Sequence, residues 1–307
     1  MPCLAIMYLA GCSGQPTPSI DGTGGIVGGN SGNAGNSSTG GRSVAGGARG
    51  LGGTPSTGGR NTTGGIQSTG GSSTSATGGT GGSTQVTRTC TNPSYTLPLN
   101  PSNPQDGITL SGFYVAADTW NAANYQVSQT LYICDYNNWY VVANMNNNTG
   151  DGAVKTYPNV HKDFNGAPLI SSFSTISSSF THTAPHVGIY EFAYDIWLNG
   201  VASSGSTEVM IWTDNYNQVP SGSALETVTF DGESYKVYKS GSYIAFVEAT
   251  NVTSGTVNLL SFFNHIIAKG WIPSTSTVGQ IDYGVELVST NGADATFQVN
   301  NFSLTAN

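Results

Sequence analysis

The sequence predicts an all-β fold: a jelly-roll β-sandwich of two antiparallel sheets with one helix, preceded by a disordered linker rich in Gly, Ser and Thr. Three observations predict it. Most of the 42 glycines fall in one N-terminal tract that carries almost no large apolar residue. After Cys90 the chain turns to short runs that alternate apolar and polar residues and are broken by Asn, Gly and Ser, the pattern of half-buried antiparallel strands. One later stretch, SGTVNLLSFFNHIIAKG, keeps helical spacing instead.

Residues 1–12 hold a short apolar run closed by Leu9-Ala10-Gly11-Cys12, which resembles a bacterial lipobox. The expectation is cleavage before Cys12, lipidation of its thiol, and a protein exported to be either lipid-anchored on the cell envelope or secreted; the basic leader of a signal peptide is missing. No later run is long and apolar enough to span a bilayer as a helix, so membrane attachment is expected through the lipid alone.

Residues 13–87 cycle through TGG units, with STGG at 38–41, 56–59 and 68–71 and no aromatic residue. Such a tract cannot bury enough apolar surface to offset ordering entropy, so it reads as a flexible linker with a reach of roughly 50 Å. The remaining segment, 88–307, holds all but one of the aromatics and is long enough for one sandwich domain.

Within that domain Cys90 and Cys134 are the two cysteines left after Cys3 and Cys12, and in an exported chain they most simply form one disulfide. The runs LYICDYNNWYVVANMN, IYEFAYDIWL, YKVYKSGSYIAFVEAT and ATFQVNNFSL read as strands. In the helical stretch Val257, Leu260, Phe263, Asn264 and Ile267 share a face, with Ser254 or Thr256 as N-cap and Gly270 as the stop.

Composition narrows the ligand. Charged residues are only 8% of the chain and the formal net charge is -8, which leaves no basic footprint for nucleic acid. Asn, Ser, Thr and Tyr supply the polar contacts, which suits a neutral, hydroxyl-rich polysaccharide. His182 and His186 are separated by Pro185 and cannot share a helical face, so no metal is expected, and no cofactor; the protein is expected to be a monomer.

Acids are few, so their placement is informative. In GSTEVMIW, strand alternation puts Glu208, Met210 and Trp212 on one face and Val209 and Ile211 on the other. In QIDYGVELVSTNG it puts Asp282, Gly284 and Glu286 together, with Gly284 expected to leave open space beside Glu286. In AYDIW, Asp195 and Trp197 face away from Tyr194 and Ile196. Two carboxyls facing each other in a cleft cleave a glycosidic bond when one is ionised and the other holds a proton.

These motifs resemble glycoside hydrolase family 12, the retaining β-glucanases of jelly-roll fold. The resemblance runs from about Cys90 to Asn307 through DTWN, Cys134, VKTYPN, AYDIW, EVMIW, FVEATNVTSGTVNLLSFFNHI and GVEL, in that order. The most specific block is EVMIW, because the family carries its nucleophile in a nearly identical strand. The match implies Glu208 as nucleophile, Glu286 as acid/base by correspondence with the family's GTEPF, and Asp195 as the residue that orients the nucleophile. It implies an endo-acting, double-displacement hydrolase of β-1,4-glucan: cellulose-type, mixed-linkage or xyloglucan. Trp120, Trp139, Met210 and Trp212 are the candidates for sugar contact.

The chain departs from the family at Thr207, where a Tyr is usual, at Leu287-Val288 in place of Pro-Phe, and at NMNNNTGDG in place of a tryptophan-rich segment. Two other readings stand beside the resemblance: a non-catalytic carbohydrate-binding module, and a retaining xylanase of the related sandwich type.

Overall fold

The computed structural model describes residues 88–307; the lipobox-like segment at 1–12, with Cys12, and the linker at 13–87 lie outside the described residues. Two sheets form the domain. In spatial order the six-stranded sheet runs β1 (Tyr95–Pro98), β4 (Val127–Asp135), β5 (Asn138–Met145), β15 (Ala295–Ala306), β7 (Ile176–Thr183) and β13 (Ser254–Val257). The nine-stranded sheet runs β10 (Ser223–Phe230), β11 (Glu233–Ser240), β12 (Tyr243–Glu248), β9 (Thr207–Tyr216), β8 (Ile189–Leu198), β14 (Val278–Ser289), β6 (Asn159–Asp163), β3 (Phe113–Ala116) and β2 (Gly107–Leu110). Pairing is antiparallel except where β12 lies parallel to β9, with Tyr243 beside Glu208.

The alternation written in each strand decides which side chains face the gap between the sheets. From β8, Phe192, Tyr194 and Ile196 enter the core; from β9, Val209 and Ile211; from β14, Ile281, Tyr283 and Val285. Each fully buried side chain of this kind stabilises the fold by about 1.5–3 kcal/mol relative to exposure. Trp139 is one of them. It is fully buried on β5 with Val141 and Ala143, in the sheet away from the cleft, so it cannot stack on a sugar; the alternation that buries Val141 buries Trp139 as well.

The helix α1 spans Leu259–Ala268 and ends at Gly270, whose φ of +69° is the left-handed conformation a helix stop requires. Its register differs from the sequence expectation. Ser254–Val257 pairs with β7 as a strand, Asn258 precedes the helix, and the buried face is Leu259, Phe262, Phe263 and Ile266. Phe262 packs on Phe230, Tyr235 and Phe246 at ring separations of 4.4, 5.0 and 5.0 Å, so the helix covers the core side of β10–β12.

Cys90 and Cys134 are disulfide-bonded with Cα atoms 5.7 Å apart, holding the start of the described chain to β4. His182 lies in the core, stacked 4.0 Å from the Phe192 ring with Nδ1 2.8 Å from the Tyr283 hydroxyl. Its Nε2 is 3.4 Å from Asp214 Oδ2, and Nε2 of the exposed His186 is 3.9 Å from the same oxygen, so the fold brings together two histidines that the sequence pattern kept apart.

Candidate active site

The other face of the nine-stranded sheet carries the acids. On β8 the outward residues are Glu191, Ala193, Asp195 and Trp197, and on β14 they are Gln280, Asp282, Gly284 and Glu286. The register makes two carboxyl pairs across these neighbouring strands: Asp195 stands opposite Asp282, and Glu191 opposite Glu286. Glu208, on β9, stands opposite Trp197. A bulge between Phe192 and Ala193 breaks the β8–β9 ladder beside these residues.

A cavity of about 330 Å³ opens on this face, lined by Glu208, Glu286, Asp195, Asp282, Trp197 and Trp120 together with side chains from the loop before β6 and the strands beyond it. Asp118 and Trp120, from the DTWN motif, form one wall, with Tyr157 and Asn159 beside them. Asn159 donates to Asp118 Oδ2 at 3.4 Å and accepts through Oδ1 from His161 Nδ1 at 2.8 Å, while Gln105 donates to the other Asp118 oxygen. The Tyr157 hydroxyl reaches the Ala193 carbonyl at 3.1 Å, which anchors that wall to β8.

Among the described residues the cavity lining holds six carboxyl groups and neither lysine nor arginine. With so little positive charge, burial and neighbouring charge push Asp118, Asp195, Glu208, Asp282 and Glu286 upward. Glu208 is pushed up to about 8, first by burial and then by the charge of Glu286. Asp195 is held well above the usual carboxylate range by burial, then by the charges of Glu208, Glu286 and Asp118. Asp282 is held there by burial and by Asp195, Asp118 and Asp163. Glu286 is raised by burial, then by the charge of Glu191 and a hydrogen bond to it, then by Asp118. Asp118 rises to about 7 through burial, against the pull of hydrogen bonds from Gln105 and the Trp120 backbone.

The order of these causes assigns protons. Asp195 is raised by the charge of Glu208, so in that pair Asp195 keeps the proton and Glu208 is the carboxylate. Glu286 is raised by the charge of Glu191, so in that pair Glu286 keeps the proton. Glu208 is raised in turn by the charge of Glu286, so the two cleft glutamates do not ionise together. One ionised and one protonated carboxyl therefore face a single cavity, the state a double displacement needs at its start.

The structure brings Glu208, Glu286, Asp195 and Trp120 together at this cavity. Met210 and Trp212 lie on the same face of β9 but are 1% and 2% exposed, packed with Ala193 and Ala245 and bordered by Tyr238, Tyr243 and Val247. They support the cavity floor and do not reach its space; the Trp212 indole N–H points to the Met210 sulfur at 3.5 Å. Gly284 leaves no open space either. A Cβ there would lie 2.2 Å from the Pro158 carbonyl oxygen, so this glycine admits the β6 backbone and not a ligand. Sequence reasoning missed Trp197, which lines the cavity, and Glu191, which the same alternation places on the face of Asp195.

Comparison with known proteins follows the same line. The description Glycosyl hydrolase family 12 fits residues 111–307. Endoglucanase S of Pectobacterium parmentieri is 26% identical over 165 residues, covering 46% of this chain and 62% of that protein, so the chain spans less than two thirds of its length. A protein of Phytophthora nicotianae named Inactive glycoside hydrolase XLP1 is 28% identical over 165 residues, covering 50% of this chain and 68% of its own. The xyloglucanase domain of NopAA, a type three effector from Sinorhizobium fredii solved in complex with cellobiose, superposes with a TM-score of 0.61 at 26% identity, over 70% of this chain and all of that domain.

Proposed function

The chain belongs to glycosyl hydrolase family 12, and from that premise we propose that it is a retaining endo-glycosidase hydrolysing β-1,4-linked glucan. One observation carries the reading: Glu208 and Glu286 line one cavity, and burial and neighbouring carboxyl charge raise both, with Asp195 and Glu191 on β8 beside them.

In the first step Glu208 attacks the anomeric carbon while Glu286 gives its proton to the departing glycosidic oxygen, leaving a glycosyl ester on Glu208. Glu286, now charged, takes a proton from water, and the hydroxide equivalent releases the sugar and restores both carboxyls. Asp195, held by burial and by the charge of Glu208, is the neutral neighbour that steadies the Glu208 carboxylate. Trp120 and Trp197, both half-buried at the cavity, offer flat apolar faces to pyranose rings. The polysaccharide is the partner, and the protein works as a monomer without cofactor or metal.

One similar protein is named inactive, so similarity alone does not supply turnover. The test is release of new reducing ends by the full chain from carboxymethylcellulose, barley β-glucan, xyloglucan and xylan, with Glu208→Gln, Glu286→Gln and Asp282→Asn alongside. Asp282 is included because the register sets it nearer than Glu286 to the row of Glu208. Turnover on a glucan, lost in the first two variants and kept in the third, supports the reading. Binding of all four polymers with no release supports the binding-module alternative, and preference for xylan supports the xylanase one.

Export and a lipid tether at Cys12 belong to the same proposal, in which residues 13–87 join the tether to the domain that meets the glucan. Detergent phase partition of the mature protein, compared with Cys12→Ala, tests it.

A further inference from the structure

The Glu191–Glu286 pair goes beyond the two glutamates that the family resemblance implies, and it rests on the reading of Glu286 as proton donor. Glu191 is fully buried, and among the described residues no donor satisfies either of its carboxyl oxygens in conventional geometry. Directly opposite it, across the β8–β14 ladder, is Glu286. An unsatisfied buried carboxylate is costly, and two carboxyls can share a hydrogen bond only if one of them holds a proton. Among the described residues the nearest cation along β14, Lys155, does not balance this charge: it spends its ammonium on the carbonyls of Ala153 and Val288 at 3.2 and 2.7 Å.

We propose that Glu191 is a positioning residue that shares one proton with Glu286 and so keeps the acid/base armed at neutral pH. The pair acts as a unit. Glu286–OH donates to Glu191, which aims the acid's hydrogen and holds the rotamer, and the negative charge left on Glu191 resists ionisation of its mate. Burial pushes Glu191 to about 7, partly offset by the hydrogen bond from Glu286, while Glu286 is raised further by the charge on Glu191. The other groups that face Glu286 are Asp195 from β8, Glu208 from β9, Tyr243 from β12, Tyr157 and Asp118 from the loops before β6, and Asp282 on its own strand. All are neutral or negative, and Glu191 alone among them stands opposite Glu286 in the ladder.

The experiment is carboxyl ¹³C NMR titration of the full chain labelled at glutamate Cδ, in wild type, Glu191→Gln and Glu191→Asp, with the Glu286 signal assigned from Glu286→Gln. The pH profile of kcat/KM is recorded for the same active proteins. Removing the negative charge should lower the Glu286 midpoint by about one pH unit or more, bring the alkaline limb of kcat/KM down with it, leave KM at pH 5.5 unchanged, and recover most of the shift in Glu191→Asp. A folded Glu191→Gln whose Glu286 midpoint stays within 0.3 unit of wild type, using about 0.3 as the smallest resolvable shift, overturns the proposal.

Should Glu191→Gln not fold, Glu286→Ala decides: loss of the donor should raise the Glu191 midpoint, and an unmoved midpoint overturns the pairing. The titration needs no turnover. A wild type inactive on every glucan, with the Glu286 midpoint still falling in Glu191→Gln, would remove the hydrolase reading and leave the shared proton standing.

Discussion

The acids crowded on one sheet face make a prediction about stability that runs opposite to the usual trend for an acidic protein. Six carboxyls at this face are raised in the fold, Asp118, Glu191, Asp195, Glu208, Asp282 and Glu286, and a seventh, Glu248, is raised on the opposite face of β12. A raised folded pKa means that the native state holds protons the unfolded chain has lost. The stabilisation is complete below the unfolded value near 4 and disappears as pH climbs through the folded values, about 7 for Asp118, Glu191 and Glu248 and about 8 for Glu208. Each such proton contributes about 1.4 kcal/mol per pH unit while it remains bound. Water entering the open cavity and the mutual coupling of the acids reduce the effective number. With only about two protons retained, the slope is still about -3 kcal/mol per unit, and two pH units then remove a third or more of the roughly 5–15 kcal/mol that holds a domain together.

Urea unfolding of the full chain at intervals from pH 6.5 to 8.5 measures this slope directly. The window avoids His182 and His161, whose folded values are lowered by burial; their contribution is lost as pH falls below about 6.5 and is constant above it. Stability should fall steadily across the window, and less steeply in Glu191→Gln. A flat or rising curve would show that these carboxyls ionise freely in the native state and would remove the electrostatic basis for assigning their protons.

Trp120→Ala and Trp197→Ala should each raise KM for glucan about tenfold with little change in kcat, since losing about 50 Å² of apolar contact with a sugar face costs about 1.3 kcal/mol; unchanged KM in both would place the substrate elsewhere. Trp139→Ala should lower unfolding free energy by about 3–5 kcal/mol without altering KM in the fraction that stays folded, and a selective rise in KM would return Trp139 to the cleft. Cys90→Ser opens a loop of sequence separation 44, which chain entropy values at about 4 kcal/mol, read as a lower midpoint in guanidinium; an unchanged midpoint would mean that the bridge adds nothing to the fold.

Strand alternation made much of this arrangement legible. The run IYEFAYDIWL is β8 from first residue to last, and EVMIW places Glu208 on the cleft face as the period of two requires. The same rule was sufficient for Trp139 and for Glu191: Trp139 shares its face with Val141 and Ala143, and Glu191 shares its face with Asp195. Those two were misread or passed over because attention went to residue type before face. Other features were not readable in one chain segment. Met210 and Trp212 have the right face but are covered by tyrosines from β11 and β12, and that cover depends on β12 lying parallel to β9. Gly284 owes its place to the backbone of Pro158 and Asn159, and the Glu191–Glu286 pairing to the β8–β14 register. Such contacts are set by how distant strands align, which local spacing does not encode.

Covalent trapping tests the central assignment most directly. The full chain is incubated with a 2-deoxy-2-fluoro-β-cellobioside bearing an activated leaving group, then digested and mapped by mass spectrometry. The account predicts one ester-linked sugar on the peptide containing Glu208, absent in Glu208→Gln. A sugar attached to Glu286 or Asp282, or turnover of glucan that releases the α-anomer first, would contradict it.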